Sequence, residues 1–354
     1  MILKHIYLQN FRSYSKSPFT FDPRFTVIIG PNATGKTNLV EAITVLSRGK
    51  SFRTSKEHQL IAFETEVTHI SGTIEEDGEE ETLEVRISLS QQGMVQKKYL
   101  VNGVPKRRSG LAGKLPTVLF TPLDLVLVSG QPGDKRRFLD EVLEQTDPDY
   151  ATALLTYTKA LRQRNALLEV VQKSGRRDEE RFSYWDNLLI TNGQILTQKR
   201  EVFINYINQS ERKLFPFSLL YDKSLMSHER LLQYKDAEVG AGMTLVGPQR
   251  DDVLIHSLHP VSKELEDVKY FCSRGQQRLI TLELKQLQIF YLQEQLGTQP
   301  LLVLDDIFSE LDSDHIKEVI QLTNDFQTII TTTHKEFLSD TGKKAAVIEL
   351  KDSV

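Results

Sequence analysis

Apolar residues recur at two different periods along the chain, and the period changes in blocks. Residues 2–8 and 19–29 read as strands, the second ending in the apolar run Phe25-Thr26-Val27-Ile28-Ile29. Residues 67–74 and 84–89 alternate as strands around an acidic stretch, 75–81, which reads as a solvated hairpin tip. Residues 97–101 and Val104 flank Asn102-Gly103, a pair that predicts a two-residue hairpin. Residues 118–120 read as a buried strand, after which Pro122, Gly130, Pro132 and Gly133 mark a change of texture. From 134 to 215 the spacing is helical, with Phe138, Val142, Leu143, Leu154, Leu155, Leu161, Leu167 and Leu168 on one side of a polar break at 173–180. Trp185, Leu188, Leu189, Leu196, Phe203 and Ile207 follow it, so an antiparallel helical hairpin is expected. Residues 253–258 return as a strand, and 279–296 form a long helix whose apolar residues belong to a core. The runs 301–304, 328–333 and 345–350 read as buried parallel strands. The organisation expected is an α/β domain of residues 1–120 and 236–354, with a β-rich N-terminal layer and an inserted helical second domain, 121–235.

Chemistry enters between the strand ending at Ile29 and a helix that opens Asn38-Leu39-Val40-Glu41-Ala42-Ile43. The intervening Gly30-Pro31-Asn32-Ala33-Thr34-Gly35-Lys36-Thr37 is a phosphate-binding loop in its expected context. Backbone N–H groups of such a loop point at phosphate oxygens, Gly35 permits close backbone approach, Lys36 reaches the β- and γ-phosphates, and the Thr37 hydroxyl binds Mg²⁺. Leu301-Leu302-Val303-Leu304-Asp305-Asp306 delivers paired carboxylates at the end of a buried strand, the Walker B arrangement; Asp305 is placed to hold Mg²⁺ and Asp306 to polarise water. His334, after the next buried strand, is placed to reach a γ-phosphate.

The two halves of this site are separated by most of the chain, from Lys36 to Asp305, unlike a small nucleotide kinase. Ser273-Arg274-Gly275-Gln276 opens a helix between them. That combination predicts an ABC-type P-loop ATPase head. In that class the signature helix presents its N-terminus and Ser hydroxyl to ATP held by a second subunit, so ATP glues a head-to-tail dimer and hydrolysis releases it.

Composition narrows the rest. The net charge of −4 argues against a protein coated in basic charge, but not against a local basic face. From Gln91 to Lys114 there is no acidic residue, and Lys97, Lys98, Lys106, Arg107, Arg108 and Lys114 are all basic. Lys135-Arg136-Arg137 form a second cluster; each cluster is either a solvated segment or a phosphate-backbone contact, and Arg136 and Arg137 have helix capping or salt-bridging as their alternative. Arg12, in Asn10-Phe11-Arg12-Ser13-Tyr14, is either a surface charge or a neighbour of the nucleotide. The lone cysteine, Cys272, fits a reducing cytoplasm, and neither a signal peptide nor a membrane span is expected.

Several of these stretches together resemble the RecF family, from the SMC-like branch of ABC ATPases. They are Leu8-Gln9-Asn10-Phe11-Arg12-Ser13-Tyr14, the loop with its helix, Lys50-Ser51-Phe52-Arg53-Thr54, and Phe120-Thr121-Pro122 with Asp124-Leu125. Arg136-Arg137-Phe138-Leu139-Asp140 and Gly247-Pro248-Gln249-Arg250-Asp251-Asp252 continue the pattern. Ser273-Arg274-Gly275-Gln276-Gln277-Arg278 and Leu304-Asp305-Asp306-Ile307-Phe308-Ser309-Glu310-Leu311-Asp312 complete it. The resemblance implies an ATP-dependent DNA-binding dimer that recognises gapped DNA near single-strand/double-strand junctions. With RecO and RecR it would help load RecA in recombinational repair and the SOS response. It also implies that Arg12 lies near the nucleotide, that Ser273 and Gly275 contact the partner's ATP, and that Asp312 lies at the dimer interface.

The family usually has Gly at the place of Ala33 and His at that of Gln249. ABC proteins usually carry a Gln after the strand ending near Phe120; Thr121-Pro122 stand there, which leaves the coupling of nucleotide to helical domain to another group. Asp306 stands where many ABC proteins have Glu, and its shorter reach predicts slow, switch-like hydrolysis. An SMC-like ATPase with a chromosome-tethering role is the alternative, although such proteins insert coiled coils far longer than this chain allows. A transporter ATPase would leave the basic run unexplained.

Overall fold

The computed structural model describes the chain except residues 91, 260–263, 308–315, 317–318, 322, 334–344 and 352–354, and for Leu125 and Val126 it describes the backbone only. His334 and Asp312 lie outside the described residues. The chain divides into two compact units, one made of Met1–Asp124 and Lys285–Val354, the other of Leu125–Leu284.

The first unit contains two sheets. Strands β1 (Ile2–Phe11), β2 (Tyr14–Thr20), β4 (Val67–Glu76), β5 (Glu79–Leu89), β6 (Val95–Val101) and β7 (Val104–Lys106) form an antiparallel sheet in the order β2-β1-β4-β5-β6-β7. Strands β3 (Phe25–Ile29), β8 (Thr117–Phe120), β12 (Leu301–Asp305), β13 (Thr328–Thr332) and β14 (Ala346–Glu349) form a parallel one, in the order β14-β3-β13-β12-β8. The contrast is written in the residues. β4 and, over its middle, β5 alternate buried with mostly half-buried positions, whereas β3, β8, β12 and β13 are buried at every position, as strands covered on both faces must be. Helix α1 (Lys36–Arg48) shares one apolar core with both sheets: its Leu39, Val40, Ile43 and Leu46 join Leu3, Ile6, Ile70 and Val85 on one side and Ile28, Val303 and Ile329 on the other. A Cβ on Gly72 would meet Leu46 Cδ2 at 2.3 Å, so only glycine lets β4 come this close to the helix.

Two expectations are adjusted here. The strand expected over 19–29 is broken, because Asp22 Oδ1 accepts from the backbone N–H groups of Arg24 at 2.8 Å and Phe25 at 3.1 Å and Pro23 donates none. The acidic tip expected over 75–81 is only Asp77-Gly78, with φ values of 51° and 85°; the flanking glutamates extend the strands. Lys4 on β1 meets two of them, Glu75 at 2.9 Å and Glu80 at 2.7 Å.

The second unit holds α2 (Pro132–Thr146), α3 (Pro148–Ser174) and α4 (Glu179–Gln209). Asp147 is extended and accepts from Asp149 N and Tyr150 N, and Pro148 takes the first helical position, so the helical pattern from 134 splits into α2 and α3 there. The expected turn near 173–180 separates α3 from α4, with Gly175 closing one helix and Asp178 capping the next. The unit also holds β9 (Ser218–Asp222) and α5 (His228–Gln233), and it continues beyond the expected boundary at 235 with α6 (Lys235–Ala241), β10 (Asp252–Leu258), β11 (Leu265–Asp267) and α7 (Val268–Phe271); β9, β10 and β11 form an antiparallel sheet. Helix α8 (Arg274–Leu296) follows.

Candidate nucleotide site

β3 and α1 present the loop at the end of a buried strand. Gly35 has φ 100°, and a Cβ there would lie 2.9 Å from the Tyr14 hydroxyl. That hydroxyl donates to Gly35 O at 3.0 Å, and burial pushes its pKa up, so it remains a donor. Thr34 Oγ1 closes the loop on Pro31 O at 2.9 Å, whereas Pro31, Asn32 and Ala33 are exposed. Lys36 Nζ donates to Gly30 O at 2.6 Å and Pro31 O at 2.7 Å.

Thr37 and the acids meet as their spacing predicts. Thr37 Oγ1 donates to Asp305 Oδ1 at 3.3 Å, and Thr331 Oγ1 on β13 donates to the same oxygen at 2.7 Å. Asp306 has φ 52°, a left-handed conformation at the strand end, and its backbone N–H donates to Thr331 Oγ1 at 3.0 Å. Burial raises the pKa of Asp305 against the opposing hydrogen bonds of Thr331 and Thr37. Burial likewise lowers that of Lys36 against the fields of Asp306 and Asp305.

These groups fit a magnesium nucleotide. Octahedral Mg²⁺ with ligands at about 2.1 Å sets neighbouring ligand oxygens about 3.0 Å apart, close to the Thr37–Asp305 separation. Thr37 and Asp305 would supply the protein ligands of such a cation, the rest of its shell coming from substrate phosphate and water. When bound, the cation would neutralise charge on the β- and γ-phosphates.

Arg12, also with φ 53°, makes two bonds to Glu41 on α1: Nε to Oε2 at 2.8 Å and Nη2 to Oε1 at 2.7 Å. Glu41 is fully buried. Ser51 Oγ donates to its Oε1 at 2.5 Å and Arg53 Nη1 approaches its Oε2 at 3.4 Å. Arg53 Nη1 also donates to Asn38 Oδ1 at 2.9 Å, and Asn38 Nδ2 donates to Ser13 Oγ at 2.9 Å. Glu41, Ser51, Arg53 and Tyr14 were not singled out from the sequence. The available signal was Glu41 itself, a carboxylate between Val40 and Ala42 on a buried helix that requires cationic partners.

Ala33 has φ 68°, where an L-residue with a Cβ is strained by about 1–2 kcal/mol. Ala33→Gly is expected to raise stability by about 0.5–1 kcal/mol once the added freedom of the unfolded chain is deducted. The urea midpoint checks this, and an unchanged or lower midpoint counts against strain in the loop.

In the second unit, Ser273 caps α8: its Oγ accepts from Gln276 N at 3.3 Å while Gln276 Oε1 accepts from Ser273 N at 2.8 Å. Ser273, Arg274 and Gly275 are exposed, leaving the positive end of a long helix open to solvent. Lys106 and Arg107 are exposed at the β6–β7 hairpin, and Arg108 is half-buried against Gly49. Lys135 bonds Asp252 Oδ1 at 3.2 Å, and Arg136 Nη1 donates to Asp251 O, with burial lowering the Arg136 pKa. Lys135 thus pairs with the Asp252 carboxylate and Arg136 with a backbone carbonyl, whereas Arg137 is mostly exposed and lies 3.4 Å from Asp134 Oδ1. The Gly247–Asp252 stretch forms a buried polar knot. Arg200 donates to Pro248 O at 2.8 Å, Asp251 Oδ2 at 3.1 Å, Asp140 Oδ1 at 2.8 Å and the Tyr150 hydroxyl at 3.0 Å. Gln249 Oε1 accepts from the Tyr157 hydroxyl.

Comparison with known proteins agrees with this arrangement. Residues 2–354 match the family model described as RecF/RecN/SMC N terminal domain. The DNA replication and repair protein RecF of Leptospira interrogans is 34% identical over 354 residues, covering 96% of this chain and 94% of that protein. RecF of Oceanobacillus iheyensis is 32% identical over 380 residues and covers all of both chains. A solved structure of the recombination mediator protein RecF-ATPrS in the RecFOR pathway superimposes with a TM-score of 0.85 at 29% identity, covering 98% of this chain and 95% of that one. The corresponding RecF-ATP structure gives 0.82 at 30% identity, covering 94% and 92%. An Smc head bound to the C-winged helix domain of ScpA, 17% identical with a TM-score of 0.51 over 99% of this chain and 94% of that one, shares the fold. Phosphate loop, Walker B acids, Ser-capped helix and near-complete relatives coincide in one chain, which belongs to the RecF family of DNA replication and repair proteins.

Proposed function

We propose that the chain is an ATP-driven DNA-binding switch of recombinational repair and replication, acting in the cytoplasm. The observation that carries this reading is the meeting of Thr37 and Asp305 across 268 residues of sequence, beside Lys36. In this reading Arg12 and residues 30–38 surround ATP. Lys36 holds phosphate, Thr37 and Asp305 hold Mg²⁺, and Asp306 orients water, with His334 near the γ-phosphate. Arg12 acts through Glu41, fixing the loop helix rather than standing free. Ser273, Arg274, Gly275 and Gln276 close over ATP held by a second copy, and Asp312 lies at that interface. Lys106, Arg107 and Arg108, with Lys135, Arg136 and Arg137, contact the phosphate backbone of gapped or junction DNA. Slow ATP hydrolysis resets the dimer. RecR and RecO are the partners with which it supports RecA loading and the SOS response, as the RecFOR pathway named for the solved relatives suggests. The alternative, a chromosome-tethering SMC-like ATPase, is disfavoured by helices of only 27 and 31 residues in α3 and α4. No described helix is long and apolar enough to cross a membrane.

The test is sedimentation with and without Mg·ATP, with gapped and blunt duplex. ATP is expected to convert monomer to dimer and to favour the gapped duplex. Neither effect appearing would refute the reading. Neutralising Arg107 and Arg108 to Ala is expected to reduce the slope of log affinity against log salt by about 1–2. An unaltered slope removes this hairpin from the DNA surface.

A further inference from the structure

Thr121 and Pro122 stand at the end of β8, where the ABC pattern carries a glutamine. Phe120 pairs with Leu304, so Thr121 follows beside Asp305 at the same edge of the parallel sheet. Asp124 closes this turn. Its Oδ2 accepts from Thr121 N at 2.7 Å and Thr121 Oγ1 at 2.9 Å, and its own N–H donates to Thr121 O at 3.0 Å. Its other oxygen, Oδ1, lies 2.5 Å from Lys285 Nζ. Lys285 is 1% exposed, donates to Leu119 O at 2.8 Å, and holds its ammonium 5.7 Å from the centre of the Phe120 ring.

The position of this pair in the chain is informative. The first unit's chain leaves after Asp124 and returns at Lys285, so one ion pair joins the two places of passage. Lys285 also belongs to α8, about three turns beyond the Ser273 cap. A buried ion pair stabilises a fold no better than an apolar pair of similar volume. Stability alone therefore gives little reason for a buried ammonium at this point.

We propose that Asp124 and Lys285 are positioning residues that link the state of the nucleotide site, whose Asp305 ends β12 beside β8, to α8 and so to Ser273 and Gly275. They take the part that the glutamine plays in ABC proteins that have one. The proposal rests on the reading of Ser273–Gln276 as a signature that meets ATP on a second copy.

The experiment uses the full chain, the double variant D124N/K285M, and D124N alone, which retains an acceptor for the Thr121 turn. Hydrogen exchange is followed with Mg·ATP at dilution where each protein is monomeric, then dimerisation at higher concentration. ATP is expected to protect residues 36–40 in all three. It should change exchange at residues 274–284 in the wild-type chain but not in either variant, and their dimers should be about tenfold weaker. An α8 response in the variants equal to wild type overturns the proposal, and so does a wild-type α8 that ignores bound ATP. A wild-type α8 that responds in a chain that never dimerises supports the link and removes the trans signature instead. Thermal melts identify loss of fold: a variant still protected at residues 36–40 and melting cooperatively is folded, and its α8 response then decides.

Discussion

Lys36→Met is expected to abolish ATP-induced dimerisation. Its ammonium is the cation nearest the loop's own carbonyls, bonded to Gly30 O and Pro31 O, and both Walker B carboxylates act on it. Methionine keeps the stem and its packing but removes every donor. Losing one charged partner of a desolvated contact costs about 3 kcal/mol, roughly a 150-fold drop in ATP affinity. Stability should fall far less, by about 1 kcal/mol, because only hydrogen bonds to carbonyl oxygens are lost from the folded protein. Isothermal titration with Mg·ATP and sedimentation separate the two effects. Wild-type affinity in a folded K36M protein would mean that the loop is not the phosphate site.

Arg200→Met is expected to destabilise the second unit by about 3–5 kcal/mol, the range for removing one partner of a buried ionic network. Arg200 is almost fully buried, and its loss leaves Asp140, Asp251 and Pro248 O without their shared donor. Asp251 would suffer most: it is fully buried, its pKa is already raised by burial, and Tyr221 and Ser224 N are the donors that would remain to its carboxylate. Chemical denaturation followed at Trp185, within α4, reports on this unit. A shift below about 1 kcal/mol would show that the knot is satisfied in another way.

These expectations show what could be read in the residues alone. The parallel strands were legible because strands buried on both faces are apolar at every position, as β3 and β12 are. The joining of Thr37 to Asp305 was legible because motif chemistry demands it, although 268 residues intervene. Arg200 and Arg164 were not legible. Each occupies a helical position that sequence assigns to solvent, and each is buried only because distant acids meet it: Asp140 and Asp251 for one, Asp186 and Glu238 for the other. Charge on a helix face carries no label for the partner that folding brings to it. The pairing of Arg12 with Glu41 on the loop helix was hidden for the same reason. The 19–29 strand failed at Pro23, where a local Asx turn outweighed the apolar pattern.

The order β14-β3-β13-β12-β8 has a bearing on how the protein is made. β3 leaves the ribosome early, but both of its neighbours, β13 and β14, are encoded some 300 residues later. Until they emerge, the phosphate loop hangs from an apolar strand with two open edges, and Asp305 does not yet exist to face Thr37. The middle unit, contiguous in sequence, can form in the meantime, because domains fold as units during synthesis. Nascent chains therefore carry an exposed β3 for most of translation and gain the Thr37–Asp305 contact only at its end. A stalled or truncated chain lacking residues 301–349 would be a candidate for chaperone capture instead of a weak ATP binder.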